Sequence, residues 1–302
     1  LIDFFMCWSD SDPFYQTYFE NCSILISLAH VSQSWDISRF PVQPTKLMVD
    51  SGAFAALSNP RWTPTQSQIF NLQLNISKGS AVPTILCHLD TPLPPGNMDT
   101  MDVYRKIEST VANAYEFIQL FKSAGLPPNF KSMGVIQGNS YNTITFCANE
   151  LSRAGFDHLG IGSLATIYKA DIILERVRAA ASVVGPDLHV FGISGLDVTA
   201  ELMAMGIRSI DSSRPMKVAM YNCLLYSNPL RQYKLKDSKV KEKATIDSPL
   251  PCDCPICKKD PALIFRAGKK RYHNMRAVHN YYHLRRELED IYRRCYVSSN
   301  LA

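Results

Sequence analysis

The sequence predicts an α/β protein, a (β/α)8 TIM-type barrel followed by a C-terminal zinc-binding subdomain. Three observations predict it. Short apolar runs alternate with helical patterns through most of the chain. Most of those runs end in a polar or glycine-rich tip. Beyond them lies a tight cysteine cluster, Pro-Cys252-Asp-Cys254-Pro-Ile-Cys257, followed by a helical pattern containing His279. Alternating β and α units imply a parallel sheet, closed or doubly wound. The doubly wound alternative is weakened because no Gly-x-Gly-x-x-Gly or Walker sequence follows a strand.

Taken in order, the strand candidates are Ile24–Leu28, Leu47–Phe54, Thr84–Asp90, Ser132–Gln137, His158–Gly162, Leu188–Ile193 and Ser209–Ser212. Seven strands leave one of a barrel's eight unlocated. Between them, Met101–Ala124 carries Val103, Ile107, Val111, Ala114, Ile118 and Phe121 at spacings of three and four, a single apolar stripe. Asp171–Val184 and Val198–Met205 read similarly, the second stopped by Gly206. After Tyr226 the pattern breaks. Arg231–Lys243 carries six basic residues in thirteen and reads as an exposed loop or ragged helix. Arg276–Arg294 reads as a final amphipathic helix with Leu284, Leu288 and Ile291 on its apolar side. The expected division is therefore a catalytic barrel over 1–230 and a basic zinc-binding subdomain over 231–302.

Three thiolates and an imidazole form a closed tetrahedral ligand set for structural zinc. Cys252, Cys254 and Cys257 cannot face one core from a strand, because side chains alternate faces. They must form a turn with converging sulfurs, and His279 is the expected fourth ligand; His273 and His283 compete for that place. The remaining cysteines of the nine are scattered in apolar segments. They read as reduced thiols of a cytoplasmic protein.

The composition is 46% hydrophobic, that of a globular chain with a sizeable core. No run approaches the ~18 apolar residues of a membrane span, so no membrane partner is expected. The N-terminal Leu-Ile-Asp-Phe-Phe-Met-Cys-Trp has neither a basic n-region nor a cleavage site, so no signal peptide is expected. Residues 231–302 hold 17 Lys and Arg against 8 Asp and Glu, whereas the whole chain nets only +5. The basic quarter is either a polyanion-binding surface or a solvated lysine-rich loop.

The strand tips carry the candidate chemistry. Leu47-Met-Val ends in Asp50-Ser-Gly-Ala-Phe54, Thr84–Leu89 in Asp90-Thr-Pro, and Ser132–Ile136 in Gln137-Gly-Asn. His158–Ile161 ends in Gly162-Ser163, Leu188–Val190 in Phe191-Gly192-Ile-Ser194, and Ile207–Ile210 in Asp211-Ser-Ser-Arg. A barrel places its chemistry on this rim. Several carboxylates there suit reaction at a sugar carbon, one as nucleophile and another moving protons. Phe54 and Phe191 can sandwich a flat base whose edge is read by Asp90, Gln137 and glycine N–H groups.

These tips resemble the motifs of the tRNA-guanine transglycosylase superfamily. Asp50-Ser-Gly-Ala-Phe54 is similar to its Asp-Ser-Gly-Gly-aromatic motif, Leu89-Asp-Thr-Pro92 to a shortened Phe-Asp-Glu-Cys-Thr-Pro, and Ile136-Gln-Gly138 to its base-reading Gln-Gly. Gly162-Ser-Leu-Ala165 resembles Gly-Gly-Leu-Ala, and Ser209-Ile-Asp-Ser212 resembles the nucleophile segment Met-Phe-Asp-Cys. His279-Asn280 matches the family's zinc histidine and the Asn after it. The resemblance runs from about residue 45 to 295. It implies Asp211 as nucleophile and Asp50 as general acid/base. Asp90, Gln137, Gly162, Ser163 and Gly192 would bind the base, with Phe54 and Phe191 stacking on it. The reaction implied is exchange of guanine for a free 7-deazaguanine through a covalent glycosyl-enzyme.

Departures refine the expectation. Bacterial tRNA enzymes continue Gly-Leu-Ala-Val-Gly-Glu, whose Glu accepts an aminomethyl group; here that position is Tyr168. An uncharged base, the 7-cyano form, is therefore expected. At 302 residues no appended RNA-binding domain is expected. The stretch Asp50-Ser-Gly-Ala-Phe-Ala-Ala-Leu-Ser and Arg61-Trp-Thr-Pro-Thr-Gln66 looks closer to the DpdA-type DNA 7-deazaguanine transglycosylases. DNA is favoured as acceptor, with tRNA the runner-up. A non-catalytic nucleic-acid-binding subunit and a hydrolytic glycosidase are the competing readings, and a homodimer or helper protein stays open.

Overall fold

The computed structural model describes residues 2–59, 61–96, 98–193, 195–266 and 268–296. They divide into two compact units. The larger, residues 2–10 and 21–212, contains a closed barrel of eight parallel strands. In chain order these are β1 (Asp3–Trp8), β2 (Ser23–Ser27), β3 (Leu47–Asp50), β4 (Thr84–Cys87), β5 (Phe130–Ile136), β6 (His158–Ile161), β7 (Leu188–Val190) and β8 (Ser209–Ser212). Each pairs with its sequence neighbour, and β8 closes on β1 with Phe5 beside Asp211. The strand unlocated in the sequence is β1. Its run Asp-Phe-Phe-Met-Cys-Trp shows no clean alternation and has no turn signal before it.

Helices α1 (Gln66–Ser77), α2 (Thr100–Ser123), α3 (Tyr141–Ala154), α4 (Ala170–Val184) and α5 (Leu196–Ala204) follow strands β3 to β7. Reciprocal bonds between Thr65 and Gln68 start α1, and between Ser140 and Thr143 start α3. Each pair satisfies two backbone donors that a helix leaves open at its first turn. On α2 the buried face is Val103, Ile107, Thr110, Ala114, Phe117 and Ile118. It is rotated slightly from the expected stripe, with Thr110 buried in place of Val111; Thr110 donates to the Lys106 carbonyl and accepts the Thr91 N–H.

Residues of strands β1 to β5 fill the barrel: Phe5, Leu25, Met48, Cys87, Met133 and Val135 pack as one cluster, with Cys7, Ile85 and Phe191 against it. Buried polar side chains stitch the outer layer to the strands. Gln73 donates to the carbonyls of Val49 and Cys87 at 2.9 and 2.7 Å. Gln66 accepts the Leu89 N–H at 2.7 Å. Such bonds offset the cost of burying each amide and set the height of the β3 and β4 tips.

The second unit comprises residues 11–20 and 213–302. The expected boundary near residue 230 falls inside it, in a hairpin of β9 (Cys223–Tyr226) and β10 (Arg231–Lys234). Arg231–Lys243 therefore begins as a strand, where a loop or ragged helix was expected; the exposed lysines follow it. The unit also holds α6 (Arg214–Met220) and α7 (Lys270–Tyr296). Asn280 on α7 accepts the Leu225 N–H at 2.7 Å and donates to the carbonyls of Pro215 and Cys223. Fully buried Arg276 donates to Ala219, Ile264, Arg266 and Asn222 oxygens. Among the described residues no helix is long and apolar enough to cross a membrane.

Candidate active site and metal centre

The barrel raises the expected tips onto its C-terminal rim. Asp50 ends β3, and the chain then turns through Gly52 at φ +75° into a short 3-10 turn, Ala53–Leu57. A Cβ on Gly52 would stand 2.7 Å from the Ala29 nitrogen, so only glycine fits. Gly52 N–H donates to Asp50 Oδ2 at 3.0 Å. Burial raises the Asp50 carboxyl above its ordinary range, opposed by that N–H, and the charge of Asp211 raises it further. Burial, with the Asp50 charge adding, pushes Asp90 up to about 7.

Asp90 belongs to a buried chain of bonds. Gln137 Nε2 donates to Asp90 Oδ2 at 2.5 Å, and the Ser163 hydroxyl donates to Gln137 Oε1 at 2.6 Å. Ser163 Oγ in turn accepts the Leu93 N–H at 2.9 Å. Ser163 sits at φ +55°, a conformation that disfavours a side chain. Gly162 lies under the Gln137 amide: a Cβ there would be 2.5 Å from Nε2. These four residues thus form one surface with fixed donors and acceptors, the arrangement a planar heterocycle needs for edge recognition.

The two expected stacking rings are placed differently. Phe54 is 43% exposed on its turn, free to cover a ligand. Phe191 packs against the barrel cluster, and its ring stands over Gly160, where a Cβ would meet it at 2.8 Å. The two rings make no contact with each other among the described residues. Ser194, at the end of the β7 tip, lies outside the described residues.

Asp211 is buried, and its Oδ1 accepts the Gly192 N–H at 2.8 Å and bonds His189 Nε2 at 3.1 Å. Its Oδ2 takes the Cys7 thiol at 3.0 Å. Gly192, expected at the base, thus directs its N–H to the carboxylate. His189 and Cys7 were missed in the sequence. The signal that could have found them is the strand period of two: His189 and Phe191 share one face of their run, as do Ser209 and Asp211. Among the described residues no Lys or Arg pairs with Asp50, Asp90 or Asp211.

In the second unit the ligand atoms of Cys252, Cys254, Cys257 and His279 lie within 4.8 Å of one another. His279 Nδ1 is 3.5–3.6 Å from all three sulfurs. A tetrahedral ion with Zn–S and Zn–N bonds of ordinary length separates S from N by about 3.6 Å. The donor set and its spacing therefore fit a metal ion. His283 plays another part. Its Nδ1 accepts the Ser227 N–H at 3.0 Å, so Nε2 carries the proton and points at Cys252 Sγ, 3.2 Å away. That bond tempers one thiolate and orients it. His273 does not join the cluster.

A family model described as queuine tRNA-ribosyltransferase matches residues 27–295. The chain is 29% identical over 255 residues to a tRNA-guanine(15) transglycosylase of Saccharolobus solfataricus, covering 80% of this chain and 46% of the relative. It is 27% identical over 259 residues to the enzyme of the same name from Pyrobaculum aerophilum, covering 82% and 48%. A queuine tRNA-ribosyltransferase of Helicobacter pylori is 22% identical over 274 residues, covering 83% and 71%. The chain thus spans about half the length of the archaeal relatives it matches.

Proposed function

The chain belongs to the queuine tRNA-ribosyltransferase family, and on that premise we propose that it exchanges guanine in a nucleic acid for a free 7-deazaguanine base. The observation that carries this reading is the unequal treatment of three rim carboxylates. Asp211 is gripped by donors, Asp50 is raised by burial, and Asp90 is tied into a base-sized polar surface. Asp211 attacks C1′ of the target nucleoside as the C1′–N9 bond breaks. The bonding pair leaves with guanine, which takes a proton from Asp50. The incoming base returns a proton from N9 to Asp50 and attacks C1′, and the C1′–O pair goes back to the Asp211 carboxylate. Asp90, Gln137, Gly162 and Ser163 read the base edge, and Phe54 and Phe191 cover its faces. A raised carboxyl suits Asp50, because it must hold a proton before guanine leaves and take one back from the incoming base.

In the same reading Cys252, Cys254, Cys257 and His279 hold one structural zinc. A closed four-ligand set offers no position for substrate, so its contribution is to the folding of its own unit.

DNA is the acceptor we favour, with the 7-cyano base incoming. Tyr168, at the position of the aminomethyl-binding Glu, is 99% exposed and offers no carboxylate. The Asp50–Gln66 stretch adds its likeness to the DNA-modifying branch. The target nucleotide must first be extruded, at a cost of a few kcal/mol. A tRNA acceptor is the second reading, favoured by the names of the relatives.

The test is incubation with duplex DNA or tRNA and 7-cyano-7-deazaguanine, digestion to nucleosides and mass spectrometry. Modified deoxyguanosine is expected. Modification of tRNA alone transfers the reading to tRNA, and release of guanine without incorporation replaces exchange by hydrolysis. A covalent enzyme–nucleic acid complex should be trappable and absent in Asp211→Ala; its persistence in that variant would remove Asp211 from the mechanism.

A further inference from the structure

His189 sits at the centre of three-residue β7, with its ring fully enclosed. Strand pairing places it beside Ser209 of β8. Its Nδ1 lies 2.9 Å from Ser209 Oγ, and its Nε2 lies 3.1 Å from Asp211 Oδ1. Both ring nitrogens thus meet side chains two residues apart on one strand. A second buried histidine shows the contrast. His88 bonds only backbone, Thr110 O at 3.2 Å and Val135 N–H at 3.1 Å, and burial depresses it to about 4. It ties α2 to the strands and touches no rim carboxylate. His189 is wired to one.

The ring facing a carboxylate must present a proton on Nε2. In the neutral ring Nδ1 then accepts, and Ser209 donates to it. Asp211 Oδ1 accordingly carries two N–H donors, from His189 and Gly192, and among the described residues Oδ2 takes only a thiol, a weak donor. From this asymmetry we propose that His189, held by Ser209, is a positioning residue that presents Oδ2 of Asp211 as the attacking oxygen and speeds the release of Asp211 from the covalent intermediate. The inference rests on the base-exchange reading above.

The electron count gives the direction. In attack, Oδ2 donates its pair to C1′ and the carboxylate loses its negative charge. In release, the C1′–Oδ2 pair returns and the charge reappears over both oxygens. Donors fixed on Oδ1 stabilise the charged form, so they assist release and slightly oppose attack. Removing the His189 N–H should slow breakdown of the intermediate more than its formation. A packing role would slow both alike or neither.

The experiment uses single-turnover kinetics on the full chain with its nucleic acid, following formation of the trapped complex and its discharge by added 7-deazaguanine base. His189→Phe keeps the ring and removes the donor; discharge should slow on the order of 100-fold, and the complex should accumulate at steady state. His189→Gln retains an N–H and should recover most of the rate. Ser209→Ala frees the tautomer and should slow discharge by about 3- to 10-fold; it carries the test if His189→Phe does not fold. Unchanged discharge in folded His189→Phe and Ser209→Ala, or equal slowing of both steps with no recovery in His189→Gln, overturns the role given to His189 alone. A wild-type protein that forms no complex overturns the base-exchange reading as well.

Discussion

The two ends of the barrel both carry aspartates and treat them in opposite ways. At the N-terminal end Asp3 pairs with Lys46, Asp157 with Lys131 at 3.7 Å, and Asp187 with Arg208 at 2.9 Å. A cavity opens there, lined by residues including those three cations and by His189 and Ser209, while Asp50, Asp90 and Asp211 do not line it. At the C-terminal end Asp50, Asp90 and Asp211 have no Lys or Arg partner among the described residues. They are held by N–H groups, an amide, a thiol and hydroxyls instead. A cation beside a carboxylate lowers its affinity for protons and blocks its approach to a substrate. Hydrogen-bond donors orient it and leave it reactive. One end therefore neutralises its aspartates with cations, and the other leaves them without one at a cost in stability.

That contrast can be broken most forcefully at Asp50. Asp50→Asn keeps the shape and removes the proposed proton carrier, so base exchange should fall by about 10²- to 10⁴-fold. The folded protein should melt no lower, because the variant relieves buried repulsion with Asp211. A lower Tm with activity intact would reverse the assignment of this end.

Asp90 sharpens it through pH. Its carboxyl is raised in the folded state, so folding holds a proton that the unfolded chain has released between about pH 4 and 7. Stability contributed by that proton is present at low pH and is lost as pH rises through about 7. Asp90→Asn should therefore raise Tm by roughly 3 °C or more at pH 8 and by distinctly less at pH 5, vanishing only below about pH 4, while base affinity drops. Differential scanning at the two pH values decides it; an equal change at both would place the burial cost elsewhere.

The smallest effect belongs to the opposite end. Both partners of the Arg208–Asp187 pair are substantially exposed, at 42% and 66%. Arg208→Ala should cost less than about 1 kcal/mol in denaturant unfolding and leave exchange kinetics unchanged. A kinetic loss comparable to the rim variants would erase the division of labour.

Legibility in the sequence followed the same division. The rim aspartates were readable because each ends an apolar run, where a barrel turns its chemistry outward. The metal ligands were readable because three cysteines within six positions must converge in a turn, and converging thiols suit a metal ion. His189 was legible only in part: the strand period of two sets it on the face of Phe191, and its bond to Asp211 arises only when β7 and β8 pair in register. The β9–β10 hairpin was hidden because its second strand, Arg-Gln-Tyr-Lys, is half-exposed and basic. Its polar character comes from facing solvent, and pairing with apolar β9 supplies what propensity lacks.

Ser163 carries a consequence of a different kind. A side-chain amide has two nearly isosteric states related by a half-turn, and they present opposite messages to a ligand. The hydroxyl of Ser163 donates to one end and Asp90 accepts from the other, so only one state survives. The left-handed backbone at φ +55° is retained where glycine would be at ease. In exchange the protein stores one bit: Gln137 keeps Nε2 on Asp90 and Oε1 on Ser163. The polarity of this amide is set by the fold and not by whatever approaches it.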